Sequence, residues 1–414
     1  LRRLAALLRS DPEAMADPCP VLNELRERAP VYRFDGQVLI TRYRDVAAVL
    51  RDTGSHISRA LVEKSGTALA GRAGLRPEVQ VAYDEVVALE SLHLVRTDPP
   101  QHDRLRRIAS RAFTPNRIAR MRESVHQSAV RLIEAFDPDD EVEMLDLAYG
   151  LPMNVIADLL GVPHDDAVML QQWTKPIVRN KGATGLDEDV ILAARAAHAD
   201  LGRYVQQMVD EGRSRDRHAS DLVAALFSAE HEERLTLDEL TGMFAQLILA
   251  GYETTANLIS IGMLELLRRP EQWGRLCAHP ELAPQATEEL LRYTSVAQWQ
   301  PRIAVEPVEL SGERIEAGET VILMMVAANR DPEVFEEPDR LDVTRANANR
   351  HIAFGTGLHH CLGAALARTE CTTVLSELCR RFPGMSLAGD VHTWHGAARL
   401  RALDSLRVRL RPAA

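Results

Sequence analysis

Between Phe354 and Gly363 the chain reads Phe-Gly-Thr-Gly-Leu-His-His-Cys-Leu-Gly, and no other stretch limits its fold so tightly. Gly355 and Gly357 permit a turn that side chains would block, and Gly363 leaves room for a flat object to approach the backbone. The helix-forming pattern over residues 362–382 sets its positive end and free N–H groups just beyond Cys361, which is expected to favour a thiolate. A thiolate presented this way is a nucleophile, a zinc ligand or an axial ligand to haem iron. Zinc normally takes a second thiol two to four residues away, and none of Cys19, Cys277, Cys371 and Cys379 is that close. A nucleophile needs a histidine base from elsewhere in the fold, which one sequence leaves open.

With 414 residues the chain can bury a large core. A net charge of −11 argues against a nucleic-acid binder. Five cysteines, odd in number and irregularly spaced, read as reduced intracellular thiols and not as a disulfide framework. The best apolar run, residues 255–267, contains Glu265 and is too short for a membrane span. Residues 1–10 carry arginines with no apolar core behind them. Neither leader nor membrane anchor is therefore expected, and the expected location is cytoplasmic. No repeat, low-complexity tract or Pro/Gly/Ser linker divides the chain, so residues 1–414 are read as one domain without a fused redox module.

Asp35-Gly36, between apolar runs at 31–33 and 38–41, signals a hairpin, and residues 43–51 turn helical. From 101 to 229 the pattern is a series of amphipathic helices, punctuated by Pro115, Pro138, Pro163 and the stretch 182–185. A long helix over 237–269 carries Leu240, Phe244, Leu247, Ile248, Leu258, Ile261 and Leu264, and two more follow at 271–278 and 282–293. Strand-like alternation is confined to 302–325 and 400–410. The expected fold is mainly α with small β-sheets.

Within the long helix stands Ala250-Gly251-Tyr252-Glu253-Thr254-Thr255. A mid-helix glycine beside a polar Glu-Thr pair weakens that helix, and such local costs are often kept at functional sites. Glu289 and Arg292, three apart, share a helix face, as do His102 and Arg106, four apart. Arg104, Arg107 and Arg111 form a basic stripe on the side turned away from His102 and Arg106, expected either to be solvated or to dock an acidic electron carrier.

The pattern Phe-Gly-x-Gly-x-His-x-Cys-x-Gly resembles the haem-binding loop of the cytochrome P450 family at every defined position, and the chain is most similar to its soluble bacterial members. The resemblance implies haem b held between the Thr254 helix and the Cys361 helix, with Cys361 as the iron's ligand and Phe354 and Gly363 beside it. It implies that Thr254 and Glu253 hold dioxygen and deliver protons, and that Ala250 and Gly251 make room for it. His102, Arg106, Arg302 and His359 would hold the haem propionates. Glu289 and Arg292, with Arg340 from the segment 335–340 as third partner, would be structural, and Tyr252 as well. Residues 400–410 would form a C-terminal hairpin.

Substrate would be enclosed by the loop 56–94, the region 173–180, the helix face at Leu247 and Ala250, and Val296, Ala297 and Trp299. Lys175, Arg179 and Lys181 are candidates for a substrate carboxylate. Where many bacterial relatives read Ser-Pro-Val-Gln, this chain reads Ser295-Val296-Ala297-Gln298. The implied activity is a monooxygenase that inserts one oxygen atom from O2 into a small-to-medium organic molecule by hydroxylation, epoxidation or oxidative dealkylation. Electrons would come from NAD(P)H through a separate ferredoxin and ferredoxin reductase. A peroxide-dependent or isomerising haem enzyme would be expected to alter the Glu253-Thr254 pair, which is intact here. A non-catalytic haem sensor or scaffold would show no turnover.

Overall fold

A 31-residue helix, Leu237–Leu267, forms the spine of the molecule. Its start is fixed by a capping box. The Thr236 hydroxyl accepts the Glu239 N–H at 3.1 Å while the Glu239 carboxylate accepts the Thr236 N–H at 3.0 Å, so two otherwise orphaned donors are satisfied. All seven apolar residues expected to face inward are buried. Among the described residues this is the one helix long and apolar enough to cross a bilayer, yet 72% of its most apolar stretch is buried within the fold. It is a core helix.

The structure, a computed structural model, describes the chain apart from residues 1, 10, 53–55, 61, 63–71, 112, 139, 183–185, 212–234, 390–392, 396–398 and 412–414. The expected break at 182–185, the end of the helical run toward 229 and the middle of the 56–94 loop fall wholly or partly outside the described residues.

Helices dominate, with four small sheets among the described residues. Met144–Leu160 packs along the long helix, and a Cβ on Gly251 would stand 2.4 Å from Ile156 Cδ1. That glycine lets the two helices pack closely there. Asp35 (φ 51°) and Gly36 (φ 72°) are both left-handed, as a two-residue type I′ hairpin needs. The hairpin joins Val31–Phe34 to Gln37–Ile40. Gln37–Ile40 runs parallel to Thr320–Met324, which pairs antiparallel with Trp299–Ala304, setting Arg302 opposite Val321. Ile57–Ser58 completes this five-stranded sheet.

The C-terminal segment does not fold back on itself as expected. Ala402–Leu403 pairs with Trp394–His395, whereas Arg407–Arg409 pairs with Glu141–Glu143 and Ser386–Leu387. Glu143 causes the split: its carboxylate accepts the Leu406 N–H at 2.7 Å, and the Met144 N–H donates to the Leu406 carbonyl at 2.9 Å. A helix at Pro77–Ser91 and three short N-terminal helices, Arg2–Leu8, Pro12–Ala16 and Cys19–Arg28, had no counterpart in the sequence reading.

Candidate functional site

The cysteine loop is held by its own backbone. The Cys361 N–H donates to the Phe354 carbonyl at 2.9 Å and the Gly355 N–H to the Ile352 carbonyl at 2.8 Å. Gly355 and Gly357 have φ of 67° and 71°. A Cβ on Gly357 would lie 2.5 Å from the Leu50 carbonyl oxygen, so only glycine lets the loop rest on the end of helix Tyr43–Arg51. Cys361 opens onto a cavity of about 1130 Å³. Gly363 lines the same cavity, and a Cβ there would meet nothing within 4 Å.

The expected bias toward thiolate is not supplied by the loop alone. The following helix, Ala364–Arg381, begins three residues past the sulfur. Burial raises the Cys361 pKa, and the Gly363 N–H with the charges of Arg106 and Arg368 only partly offsets it. A ligated metal cation facing the sulfur would add to that stabilisation of the thiolate.

Leu247, Ala250, Gly251, Glu253 and Thr254 all line the cavity. The Thr254 hydroxyl donates to the Ala250 carbonyl at 2.5 Å, one turn back along the helix. Desolvation pushes the Glu253 pKa up to about 7. Tyr252 is buried, and its hydroxyl accepts from Gln171, in keeping with a packing role. Gly251 lines the cavity and also packs against Ile156, whose Cδ1 a Cβ there would meet.

His102, Arg106, Arg302 and His359 converge on the cavity wall. The His102 and His359 rings meet edge to face with centroids 4.6 Å apart. His102 is buried with Nε2 lacking a hydrogen-bond partner. Burial lowers the pKa of Arg302 to about 10, with the nearby Asp98 charge opposing. Burial alone would raise Asp98, yet hydrogen bonds from His359, Ser58 and the Ala60 and Arg59 N–H groups hold it well below the usual carboxylate range. Arg59, absent from the sequence reading, is buried and lines the same wall. Its signal was invisible because it enters from a loop some forty positions before Asp98.

This set fits a flat, dianionic iron porphyrin. A sulfur and an open glycine face one cavity, and a cationic rim with an orphaned imidazole nitrogen borders it.

Glu289 and Arg292 are fully buried and bidentate, at 2.7 and 2.9 Å. Their third partner is Arg345, not Arg340. Arg345 Nε donates to Glu289 at 3.1 Å with its side chain 9% exposed, whereas the Arg340 side chain is 59% exposed and pairs with Glu337. Arg340 contributes only its carbonyl, which accepts from both Arg292 and Arg345.

On the substrate side Val296, Ala297 and Gln300 line the cavity, and Trp299 does not. Side chains alternate along a strand; Gln300 faces the cavity while Trp299 sits beneath the Arg399 guanidinium, 5.9 Å from its ring centre. Lys175 lines the cavity, whereas the Arg179 and Lys181 side chains lie outside the described residues. Glu370, one of the residues the sequence reading passed over, is also at this cavity, buried with Oε2 unpartnered. In the expected basic stripe Arg104 pairs with Glu239, and Arg107 and Arg111 are exposed.

The family described as Cytochrome P450 matches residues 184–277 and 276–386. Nocardicin C N-oxygenase of Nocardia uniformis subsp. tsuyamanensis is 38% identical over 84% of this chain and 83% of its own length. Cytochrome P450 monooxygenase PikC of Streptomyces venezuelae is 35% identical over 96% of this chain and 92% of its own. The crystal structure of P450BioI with an acyl carrier protein bearing hexadec-9Z-enoic acid superposes with a TM-score of 0.85 at 29% identity, covering 96% of this chain and 99% of that one.

Proposed function

The chain belongs to the cytochrome P450 family and is a haem-thiolate monooxygenase, and on that footing we propose which of its residues serve the reaction. Haem b, the family's cofactor, supplies the activation of O2 and the insertion of one oxygen atom into substrate. Cys361 is its ligand. His102, Arg106, Arg302 and His359 neutralise its propionates.

Glu253 and Thr254 handle protons. At neutral pH the Glu253 carboxyl, with its pKa near 7, is close to half protonated and can both give up a proton and regain it. Thr254 Oγ1 gives its hydrogen to the Ala250 carbonyl; turned about Cα–Cβ, the same hydroxyl donates into the cavity and accepts from Glu253. Leu247, Val296 and Ala297 supply apolar wall, and Gln300 and Lys175 supply polar points. This mixture suits a medium-sized, largely apolar natural-product-like substrate with a few polar groups.

The electrons are proposed to come from NAD(P)H through a separate ferredoxin and its reductase. The matched relatives are covered along 83–92% of their own length, which supports reading residues 1–414 as one haem domain; the proposed location is the cytoplasm. Arg107 and Arg111 are the proposed contact for the acidic carrier.

The observation that carries this reading is one cavity shared by Cys361 and the Glu253-Thr254 pair. The test is turnover of the haem-loaded protein with ferredoxin, reductase, NADPH and ¹⁸O2, using compounds chosen because they shift the iron from low to high spin. One ¹⁸O per product molecule is expected. Product formed only with added peroxide and no reductase would favour the peroxide-dependent alternative.

A further inference from the structure

A second cavity, of about 290 Å³, lies against the cysteine loop between the end of helix Tyr43–Arg51 and the turn Ala348–Arg350. Arg51, Asn349, Arg350, His351, His360 and Arg368 line it, and no aspartate or glutamate does. The charges here are not balanced from within. Glu288 accepts both arms of Arg368 at 2.6 and 3.0 Å and stands 3.2 Å from His351 Nε2, so one carboxylate serves those two. Arg51 and Arg350 are exposed, and among the described residues neither makes an ion pair.

The other carboxylates nearby are committed. Asp331 accepts the backbone N–H groups of Tyr43 and Glu333, and Asp52 is bound to His56. Tyr43 fixes the rim, its hydroxyl donating to the Arg350 carbonyl at 2.7 Å. Gly357 lets the loop touch the backbone at Leu50 and Arg51, so the walls are set by packing and not by the charges themselves.

From this arrangement we propose that the cavity is a binding site for a tetrahedral oxyanion of the phosphate class. Guanidinium groups present paired N–H donors in a fixed fork that matches oxyanions bidentately. Three of them approach from three elements, a helix end, a turn and the cysteine helix: Arg51 and Arg350 with their forks unengaged by a described carboxylate, and Arg368 with the Nη1 that Glu288 leaves over. That suits an anion with oxygens in several directions better than a flat carboxylate. Asn349 and His360 add further hydrogen-bond donors. The bound charge would bridge helix Tyr43–Arg51 to the loop that carries Cys361. This site adjoins the large cavity, sharing Phe354, Gly355 and His360 with it, but Arg51, Arg350 and Arg368 line only the smaller one, and its test is independent of the assignment of Glu253 and Thr254.

The experiment is calorimetric titration of the haem-loaded protein with inorganic phosphate, ionic strength held constant with sodium chloride. One saturable site is expected, competed by sulfate. In the double variant Arg51→Gln/Arg350→Gln the affinity should fall at least tenfold while the haem absorption spectrum stays that of the wild type. Both replaced side chains are exposed, so the fold should tolerate the change; Arg51→Lys/Arg350→Lys should bind at intermediate strength. Adenosine 5′-monophosphate binding more tightly than phosphate would identify a phosphate ester as the occupant, and weaker or equal binding would identify the free ion. Heats that do not saturate, equal affinity in the glutamine variant, or tighter binding of acetate than of phosphate would each overturn the proposal.

Discussion

In the proposed relay Thr254 and Glu253 divide the handling of one proton, and each has its own signature. Replacing Thr254 with alanine removes the hydroxyl now bound to the Ala250 carbonyl. Peroxide release per NADPH should rise several-fold at the expense of product, and unchanged coupling would remove Thr254 from the relay. Glu253 carries the pH dependence. Its pKa is raised to about 7 by desolvation, so below about pH 7 it is a proton donor and above it a carboxylate. Product formed per NADPH should fall as pH rises through 7. Glu253→Gln should flatten that profile; a profile of the same shape in the variant would assign the titration elsewhere. Both residues were readable in the chain, because a Glu-Thr pair in an apolar helix is a local anomaly. Arg59 was not, since its place beside Asp98 is set by a long-range fold contact.

At the scale of elements, two replacements separate packing from chemistry. Gly251→Ala brings a methyl group against the flexible end of Ile156 and should cost about 1 kcal/mol at most, the repacking being partly offset by alanine's roughly 1 kcal/mol better helix propensity. Ile156→Val, which deletes that Cδ1, should restore part of the loss in denaturant unfolding. The buried Glu289-Arg292 pair depends on Arg345, which also donates to the carbonyls of Glu336, Glu337 and Arg340. Arg345→Ala should therefore cost roughly 3 kcal/mol, and Arg340→Ala no more than about 0.5 kcal/mol. Equal losses would contradict the corrected pairing.

The sequence signal could not distinguish the two arginines. They stand five positions apart in one irregular segment without periodicity, and only the turn through Asp342–Arg345 decides which faces inward. The hairpin at Asp35-Gly36 and the capped start at Thr236 were legible because both rest on chemistry within four residues. The final strand was not, because Glu143 captures Leu406 from more than 250 positions away.

For the whole molecule, a net charge of −11 would slow approach of an acidic electron carrier unless local basic groups offset it. Reduction of the iron by ferredoxin should slow as salt is raised, and slow further in Arg107→Glu/Arg111→Glu. Rates indifferent to both would dismiss that contact. Beneath all of this lies the sulfur at position 361, whose loop, cavity and cationic rim have meaning only if it binds iron. The most direct test is the absorption of the reduced, carbon-monoxide-treated, haem-loaded protein. The strongly red-shifted Soret band of thiolate ligation is expected in the wild type and should be lost in Cys361→Ser. A wild-type band at the position of a nitrogen-ligated haem, or a red-shifted band surviving in Cys361→Ser, would contradict the account.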